Sequence, residues 1–272
     1  MTLKSLTLQC LIALFCANCT TESKNSFSDN FDDTSHPILT EKNSVNKHDD
    51  PDWWLNSGGY LYRTKKGATT VQGKLADNDS FRLLYAKSNP IDTDNGYRPQ
   101  NILRLVTAAE FKNFTQQVFF NIKQINKSNS PNRNQSNGVL LFHRYRDGNN
   151  LYYAGIRVDG YAVVKKKLHG KYYTLKSNVV YPGNYDRDTS PNRLPTNRRI
   201  GMKTVISNNT KGNVDITMYI NDDQLGEGWT QVLQVEDTGT DTELIVDKGY
   251  AGIRSDFMDV VFDDYQASES QN

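Results

Sequence analysis

Cysteine is nearly absent from this sequence, and its three cysteines, Cys10, Cys16 and Cys19, all lie near the beginning. The rest of the chain therefore has no disulfide framework. No apolar run reaches about 18 residues, which excludes a membrane-spanning helix. The sequence also lacks zinc-type Cys/His spacing, a phosphate-binding loop and a dinucleotide-binding glycine motif, so nothing in it indicates those chemistries.

Runs of Ala, Leu and Glu are scarce, whereas the chain of 272 residues contains 15 Tyr and 11 Phe. The shortage of strong helix formers makes a helical bundle a poor fit. Aromatic residues make up 11% of the sequence, which is too many for a disordered chain. The length fits one domain of about 200–250 residues, or at most two smaller ones.

The net charge of +1 hides a separation of charge along the chain. Residues 21–52 carry 8 acids and 3 bases, residues 138–176 carry 8 Lys or Arg and 2 Asp, and residues 220–264 carry 12 acids and 2 bases. The basic middle segment suits an anionic ligand. The alternative is that these charges lie on solvated faces and compensate one another.

The N-terminal residues are typical of a secretory signal, with Lys4 ahead of a short apolar run, residues 6–15. Residues 1–19 are therefore predicted to be a signal peptide. Cys19, followed by Thr-Thr-Glu-Ser, resembles a bacterial lipoprotein acceptor, and cleavage without lipid is the alternative. Either way we expect an exported protein: secreted, periplasmic or a cell-surface lipoprotein. It would contact the membrane only through that lipid and would have no nucleic acid as partner.

Residues 20–51 are rich in Ser, Asn, Asp, Thr and Lys and contain few apolar positions. Such a segment cannot bury enough surface to fold, so it is predicted to be a disordered tether. The folded domain is predicted to span residues 52–267, beginning near Trp53 and Trp54. Residues 268–272 are predicted to be a tail, and the protein is expected to be a monomer.

Beyond residue 100, short alternating or apolar runs recur between turns rich in Gly, Asn and Asp. Many short strands of this kind indicate an all-β fold, an antiparallel β-sandwich. No sustained helical periodicity is present, and segments 126–137 and 182–198 are predicted to be long loops. The predicted strands are residues 101–106, 117–125, 139–146, 151–158, 161–168, 172–177, 200–206, 214–220, 231–235 and 260–265.

Residues 138–177 allow a more specific prediction, because Asp159-Gly160 and His169-Gly170 are each typical of a two-residue hairpin loop. Directly opposed residues share a face of a sheet. This register therefore predicts an outer row of charged and phenolic side chains, with Gly155 and Ala162 leaving room beside it. The predicted outer row is Arg144, Tyr153, Lys166 and Tyr173, and the predicted core face is Val139, Leu141, Ile156, Val158 and Val163.

A shift of this register by one residue would exchange the two faces. The outer polar set would then be His143, Tyr145, Tyr152, Lys165 and Lys167.

Several motifs follow one another along the chain. Residues 142–153 read FHRYRDGNNLYY and continue as AGIRVDG and KKKLHGKYYTL; MYIND follows at 218–222, GYAGIR at 249–254 and VFDDY at 261–265. In this order they resemble the concanavalin A-like (laminin-G-like) jelly rolls of bacterial glycan-processing proteins. The resemblance covers residues 55–267 and implies a jelly-roll fold. That scaffold serves lectins, glycan-binding modules, glycoside hydrolases and polysaccharide lyases, so it does not select an activity.

Retaining glycoside hydrolysis needs two carboxylates about 5 Å apart. The Glu-x-Asp-x-x-Glu strand motif that jelly-roll hydrolases often carry is absent, and Glu110 stands alone. Asp263 and Asp264 are consecutive, so in a regular strand they would point to opposite faces. A hydrolase would have to draw its carboxylates from loops.

Jelly-roll polysaccharide lyases use Tyr or His to remove the C5 proton of a uronic acid, and Arg or Lys to neutralise its carboxylate. The residue chemistry here is similar. The leading prediction is a lyase that cleaves an acidic polysaccharide of the alginate, ulvan or glucuronan type by β-elimination. The alternatives are a non-catalytic carbohydrate-binding or surface-attached module, and a hydrolase. The predicted catalytic residues are Tyr153, Lys166, Tyr173 and His143, and the predicted substrate-binding residues are Arg144, Arg146 and Arg157.

No cofactor is predicted. Residues 147–150 and 221–223 offer oxygen atoms that suit calcium, although neither turn has EF-hand spacing, so a structural calcium ion is an alternative to simple turn formation. The three tryptophans are candidates for stacking on sugar rings, namely Trp53, Trp54 and Trp229. For the first two, anchoring of the first strand is the alternative.

Overall fold

The computed structural model describes residues 26–47, 49–240 and 242–270. Within these ranges the chain forms two antiparallel β-sheets, one of nine strands and one of seven, that enclose a common core. The predicted fold class, an all-β antiparallel β-sandwich of the jelly-roll type, is confirmed.

The described ranges also contain one α-helix, α1 (Ser80–Ser88), and three short 3-10 helices at Val45–Lys47, Pro99–Asn101 and Asp223–Leu225. The strands are β1 (Ser26–Asp29), β2 (Ile38–Thr40), β3 (Trp53–Ser57), β4 (Tyr60–Thr64), β5 (Gly67–Thr70), β6 (Ile102–Phe111), β7 (Phe114–Ile125), β8 (Gly138–Asp147), β9 (Asn150–Arg157), β10 (Tyr161–Leu168), β11 (Lys171–Val179), β12 (Ile200–Asn208), β13 (Val214–Asn221), β14 (Thr230–Asp237), β15 (Gly249–Asp256) and β16 (Met258–Glu269).

The nine-stranded sheet has the order β14-β13-β12-β7-β16-β5-β4-β2, and β1 pairs with β16 outside this path. The seven-stranded sheet has the order β11-β10-β9-β8-β15-β6-β3. Strands β8 to β11 are successive hairpins, whereas β15 comes from late in the chain and lies between β6 and β8. Residues that are distant in sequence therefore become neighbours on this sheet.

Alternation of apolar and polar residues explains which face of each strand is buried. In β13, Ile216, Met218 and Ile220 are fully buried, and the residues between them are partly exposed. Successive side chains of a strand point to opposite faces, so one face of β13 packs into the core between the sheets. Each large apolar side chain buried in this way contributes about 1.5–3 kcal/mol.

Strand β8 departs from this alternation, because every residue from Gly138 to Tyr145 is buried. Val139 and Leu141 belong to the main core between the sheets. Leu140 belongs to a second apolar cluster on the outer face of the seven-stranded sheet. The members of this outer cluster are Trp54, Val106, Leu140, Phe142, Tyr145, Leu151, Tyr153 and Val163. A strand buried on both faces has a nearly continuous apolar sequence, which conceals its orientation.

The predicted tether is ordered over the part that the structure describes. Strand β1 pairs with β16 and β2 pairs with β4, while Phe31 is fully buried. Asp29 accepts a hydrogen bond from Nε1 of Trp53 at 2.7 Å, and Arg63 forms ion pairs with Asp29 at 3.2 Å and Asp50 at 2.5 Å. This corrects the prediction: the carboxylates of the segment are partners of a buried arginine, which composition alone does not reveal.

The predicted signal peptide, residues 1–19, and the candidate lipid acceptor Cys19 lie outside the described residues. Among the helices that the structure describes, none is long and apolar enough to cross a membrane. Strand β16 continues to Glu269, so it extends into the predicted tail.

Every strand predicted above is present, but the loop between β9 and β10 is longer by one residue than expected. It comprises residues 158–160, with Gly160 at a φ of 88°, a conformation that glycine adopts without strain. Tyr153 consequently lies opposite Lys165 and not opposite Lys166. The next turn is as predicted, since Lys166 lies opposite Tyr173.

A β-bulge in β8 causes the second difference. The register shifts between His143 and Asp147, and Arg144 within the bulge has a φ of 50°. The predicted strands 139–146 and 151–158 leave four residues for the loop between them. In the structure Asp147 lies opposite Asn150 beyond the bulge, so this loop contains only two residues. A bulge reverses the alternation of faces along a strand, and this one carries no obvious sequence signal.

Helix α1 gave no periodicity signal because it has only nine residues. Its N-terminus is capped by Asp79, whose carboxylate accepts hydrogen bonds from the backbone N–H groups of Phe81 at 2.8 Å and Arg82 at 3.3 Å. The loop that follows contributes Asn89 and Asp92 to a cleft on the outer face of the seven-stranded sheet.

Candidate functional site

An open cleft of about 530 Å³ lies on the outer face of the seven-stranded sheet. Its walls are the loop after α1, the loop between β7 and β8, and the turn between β15 and β16. Six strands contribute one side chain each to its floor. These floor residues are Arg104, Leu140, Tyr153, Lys165, Tyr172 and Arg254.

Strand register explains how these side chains meet. Arg104 on β6 lies directly opposite Arg254 on β15, and Arg254 lies opposite Leu140 on β8. Tyr153 on β9 lies opposite Lys165 on β10. Opposed residues of neighbouring strands share a face, so these side chains converge on the side of the sheet that points away from the main core.

The outer apolar cluster forms the adjoining part of this face. Leu140 and Tyr153 belong to both the cluster and the cleft, and the ring centroids of Phe142 and Tyr153 are 5.5 Å apart. Apolar surroundings lower the effective dielectric constant and so strengthen electrostatic interactions at the cleft floor.

Arg254 is the most firmly held cation of the cleft. Its Nε donates to Oδ1 of Asp256 at 2.8 Å, and its Nη1 donates to the hydroxyl of Tyr153 at 3.3 Å. Burial alone would lower the pKa of Arg254, but Asp256 and the phenols of Tyr153 and Tyr172 outweigh it and hold that pKa above its usual value. Arg254 therefore presents a permanent charge in a fixed orientation.

Arg104 and Lys165 also line the cleft, but neither forms an ion pair with any acidic side chain that the structure describes. Burial, together with the nearby Arg157, lowers the pKa of Lys165. A partly buried cation without an acidic partner carries a desolvation cost. An anion bound in the cleft would offset that cost.

Two tyrosines stack at one end of the cleft. The ring centroids of Tyr153 and Tyr172 are 6.1 Å apart and their planes are inclined by 27°. Burial raises the pKa of Tyr153 to about 12. Burial also acts to raise the pKa of Tyr172, but the cations Arg254 and Lys167 outweigh it and bring that pKa below its ordinary value. The pair thus combines a neutral phenol with one that ionises more readily.

Amide side chains form much of the wall. Asn132, Asn134 and Asn137 come from the loop between β7 and β8, and Asn89 follows α1. Asp92 links the two loops, because it accepts hydrogen bonds from Nδ2 of Asn132 at 3.0 Å and Nδ2 of Asn89 at 3.2 Å. Amides both donate and accept hydrogen bonds, as recognition of sugar hydroxyls requires.

The structure does not bring the predicted row together on one outer face. Tyr153 lines the cleft. Lys166 is 1% exposed and points inward, where its Nζ lies 2.7 Å from Oδ2 of Asp237. Tyr173, opposite Lys166, packs against the main core. The predicted face is thus wrong for Lys166 and Tyr173, because the longer loop before β10 shifts that strand by one residue.

His143 and Arg144 are also buried away from the cleft. Nε2 of His143 lies 2.7 Å from Oγ1 of Thr204 on the opposite sheet. Burial lowers the pKa of His143 to about 3. The bulge turns Arg144 into the protein, where it donates to the carbonyl oxygens of Lys112 at 2.9 Å and Ile245 at 2.6 Å. The prediction that Arg144 lies in the outer row is therefore wrong.

Arg146 and Arg157 lie outside the cleft lining and are already engaged. Arg146 forms an exposed ion pair with Asp247 at 2.9 Å. Arg157 forms an ion pair with Asp159, and its Cζ lies 5.6 Å from the centre of the Tyr161 ring.

The shifted register that was the alternative is right only in part. Tyr145 belongs to the outer cluster, Lys165 lines the cleft, and Lys167 lies over the Tyr172 ring. His143 and Tyr152 instead face inward. The bulge in β8 and the longer loop before β10 therefore mix the two predicted sets.

The prediction of the core face is confirmed for Val139, Leu141, Ile156 and Val158, whereas Val163 belongs to the outer cluster. Gly155 does not open a hollow, because a Cβ there would lie 2.3 Å from the carbonyl oxygen of Val139. Its lack of a side chain allows β8 to approach closely. Ala162 lies in the main core.

Sequence analysis missed three main floor residues, Arg104, Tyr172 and Arg254. The sequence around Arg104 did contain a signal for its orientation. Leu103 and Leu105 on either side of it are apolar and fully buried, so Arg104 between them points to the outer face. Only the insertion of β15 between β6 and β8 places Arg254 beside it.

Within the described part of the chain, no group of three or more His, Cys, Asp or Glu side chains could hold a metal ion. Among the described residues, the acidic side chains that line the cleft are Asp92, hydrogen-bonded to asparagines, and Asp256, paired with Arg254.

No protein-family model matches the chain, and no curated protein matches its sequence. Among solved structures, the chain is similar to the carbohydrate-binding module CBM66 from Bacillus subtilis, with a TM-score of 0.49, 14% identity, and coverage of 80% of this chain and 95% of that one. It is similar to a Bacillus subtilis protein of unknown function with a galectin-like fold, with a TM-score of 0.47, 14% identity, and coverage of 86% and 94%. It is also similar to the GH43 protein BlXynB from Bacillus licheniformis, with a TM-score of 0.44, 11% identity, and coverage of 86% and 39%.

Proposed function

We propose that the cleft on the seven-stranded sheet binds an acidic glycan. The observation that carries this proposal is the presence of Arg104 and Lys165 in the cleft without an acidic partner among the described residues. A carboxylate of a uronic acid would supply the missing negative charge. Arg254, held by Asp256, would provide a third and fixed cation.

The rest of the cleft suits a sugar chain. The exposed ring of Tyr172 offers a surface for stacking, and the asparagines of the wall offer donors and acceptors for hydroxyl groups. The open shape accommodates a segment within a polymer. We include alginate, ulvan and glucuronan among the expected ligands because each contains uronate.

Binding is tested with Arg104→Ala. Electrophoresis through gels containing alginate, ulvan or glucuronan should show retardation of the wild-type protein and an affinity lower by about tenfold or more in the variant. Arg146→Ala is the matched control, because it removes an arginine from the same sheet but outside the cleft. Equal retardation of all three proteins, or of none, would overturn the proposal.

Cleavage by β-elimination is the second candidate function, and the opposite pKa shifts of Tyr153 and Tyr172 favour it. Tyr172 as phenolate would take the C5 proton of the uronate. Arg104 and Arg254 would stabilise the negative charge that develops on the carboxylate of the uronate. The C4–O bond then breaks, a double bond forms between C4 and C5, and neutral Tyr153 gives its proton to the departing oxygen.

Lyase activity is tested by the absorbance of the unsaturated uronate product. Turnover should rise with pH toward the lowered pKa of Tyr172, because the phenolate is the reactive form. Tyr172→Phe should reduce turnover by about 100-fold or more, whereas Tyr173→Phe, which changes the adjacent inward-facing phenol, should leave it within a few fold. Polymer binding without this absorbance would reject the lyase and leave the binding proposal standing. New reducing ends without it would indicate a hydrolase.

The proposed ligand fits export of the protein, since acidic polysaccharides of this kind are extracellular. We accordingly propose a secreted, periplasmic or surface-attached monomer, with membrane attachment only through lipidated Cys19. Structural calcium at the turns noted above remains a separate proposal.

A further inference from the structure

The opposite side of the sandwich carries an aromatic platform that the cleft does not explain. It lies on the outer face of the nine-stranded sheet, across β7, β12, β13 and the residue just before β14. Its members are Phe119, Gly201, Lys203, Tyr219 and Trp229, all on the face that points away from the core.

Packing over a glycine holds this platform together. Gly201 on β12 lies opposite Phe119 on β7, and the ring centroids of Phe119 and Trp229 are 5.7 Å apart. A Cβ at Gly201 would lie 2.7 Å from the Phe119 ring and 2.9 Å from the Trp229 ring. The two rings can therefore meet above β12 only because position 201 has no side chain.

The ammonium of Lys203 lies between two of the rings. Its Nζ is 4.7 Å from the centroid of Tyr219 and 4.7 Å from that of Trp229. No described acidic residue forms an ion pair with Lys203, and burial lowers its pKa. By contrast, Arg199, which lies over Phe119, is paired with Asp264.

Aromatic surface beside an uncompensated cation suits a sugar that carries a negative charge, because pyranose C–H groups pack on an aromatic ring while the carboxylate meets the ammonium. We propose that the platform of Trp229 and Lys203 is a second binding site for acidic glycans. The ligand class rests on the proposed function of the cleft, but the second site depends on different residues.

The two sites face in opposite directions, since packed sheets lie about 10 Å apart with their outer faces on opposite sides. A single straight segment of polysaccharide cannot reach both. One protein molecule would therefore bridge two polymer segments, and binding of a polymer would gain from multivalency.

The test is isothermal titration calorimetry with tetrasaccharides of alginate and of glucuronan. The wild-type protein should bind two molecules of the preferred tetrasaccharide, and Trp229→Ala should bind one. Lys203→Met, which keeps the packing of the aliphatic chain but removes the charge, should weaken the second site by about tenfold. Lys211→Met is the control, because it removes the same charge from an exposed residue in the turn between β12 and β13, outside both sites, and should not affect either of them.

The two proposals fail in different ways. Binding of a single tetrasaccharide by the wild type, lost in Arg104→Ala and unchanged in Trp229→Ala and Lys203→Met, would overturn the second site and leave the cleft. Binding that is lost in Trp229→Ala and unchanged in Arg104→Ala would overturn the cleft and leave the platform. Absence of binding to both tetrasaccharides would overturn both proposals.

Discussion

Lys165 and Lys166 are adjacent in sequence but lie on opposite faces of β10. Lys166 points into the sandwich, where it is paired with Asp237 and donates to the carbonyl oxygen of Glu243 at 2.9 Å. Lys165 points into the cleft and has no acidic partner among the residues described. The inward charge is compensated by the protein itself, whereas the outward one would be compensated by the glycan that we propose as ligand.

The tyrosines repeat this contrast. The hydroxyl of Tyr152 donates to Asp237 at 2.8 Å inside the sandwich, whereas the adjacent Tyr153 meets Arg254 in the cleft. Tyr172 contributes to the cleft floor, and the adjacent Tyr173 packs against the main core. Adjacent residues of the same type thus separate into one that faces the interior and one that faces the cleft, which makes each a control for its neighbour.

The largest expected effect concerns the buried pair. Lys166→Met leaves Asp237 without its ammonium partner, and breaking a buried ion pair in this way costs about 3–5 kcal/mol of unfolding free energy. Lys165→Met should change stability by less than about 0.5 kcal/mol, because it is not part of such a pair. Urea denaturation of the two variants measures this difference, and equal losses would contradict the assignment of faces.

His143 gives the next effect, in the dependence of stability on pH. Its pKa is about 3 in the folded protein, against an ordinary value of 6.5. Between these values the unfolded chain binds a proton that the folded protein does not, so acidification favours unfolding. The contribution is fully present above pH 6.5 and falls by at most about 1.4 kcal/mol per pH unit as the pH drops.

His143→Gln removes this titration. Although the variant is expected to be less stable at neutral pH, its unfolding free energy should fall less steeply than that of the wild type between about pH 6 and pH 4. Parallel curves from urea denaturation would show that His143 is not buried in its neutral form.

Much of the sandwich could be predicted from local pattern. Strand β13 alternates strictly, and the Leu103–Leu105 pair in β6 identifies the inward face. The faces of residues 138–177 could be predicted only in part, because the Arg144 bulge interrupts the alternation of β8 and the three-residue loop at 158–160 shifts β10 by one residue. In β8, burial of both faces removed the alternation that would have revealed the bulge.

The cleft was less predictable than the fold because it depends on long-range topology. Tyr153 could be identified from the hairpins alone, since its strand neighbours are close in sequence. Arg104 and Arg254 are 150 positions apart and become neighbours only through the placement of β15. Their residue types suggest anion binding once they are adjacent, but nothing local in the sequence places them together.

The smallest expected effect is also the most direct test of the contrast on β10. Lys165→Met should weaken binding of an acidic tetrasaccharide by about tenfold, because one uncompensated charge is lost, and the remaining affinity should depend less on salt. Lys166→Met should bind like the wild type wherever it remains folded, because its ammonium is committed to Asp237. Titrations at low and moderate ionic strength, at a temperature below the unfolding transition of both variants, compare them. If Lys166→Met weakened binding as much as Lys165→Met, then Lys165 would affect binding by supporting the fold and not by contacting the glycan.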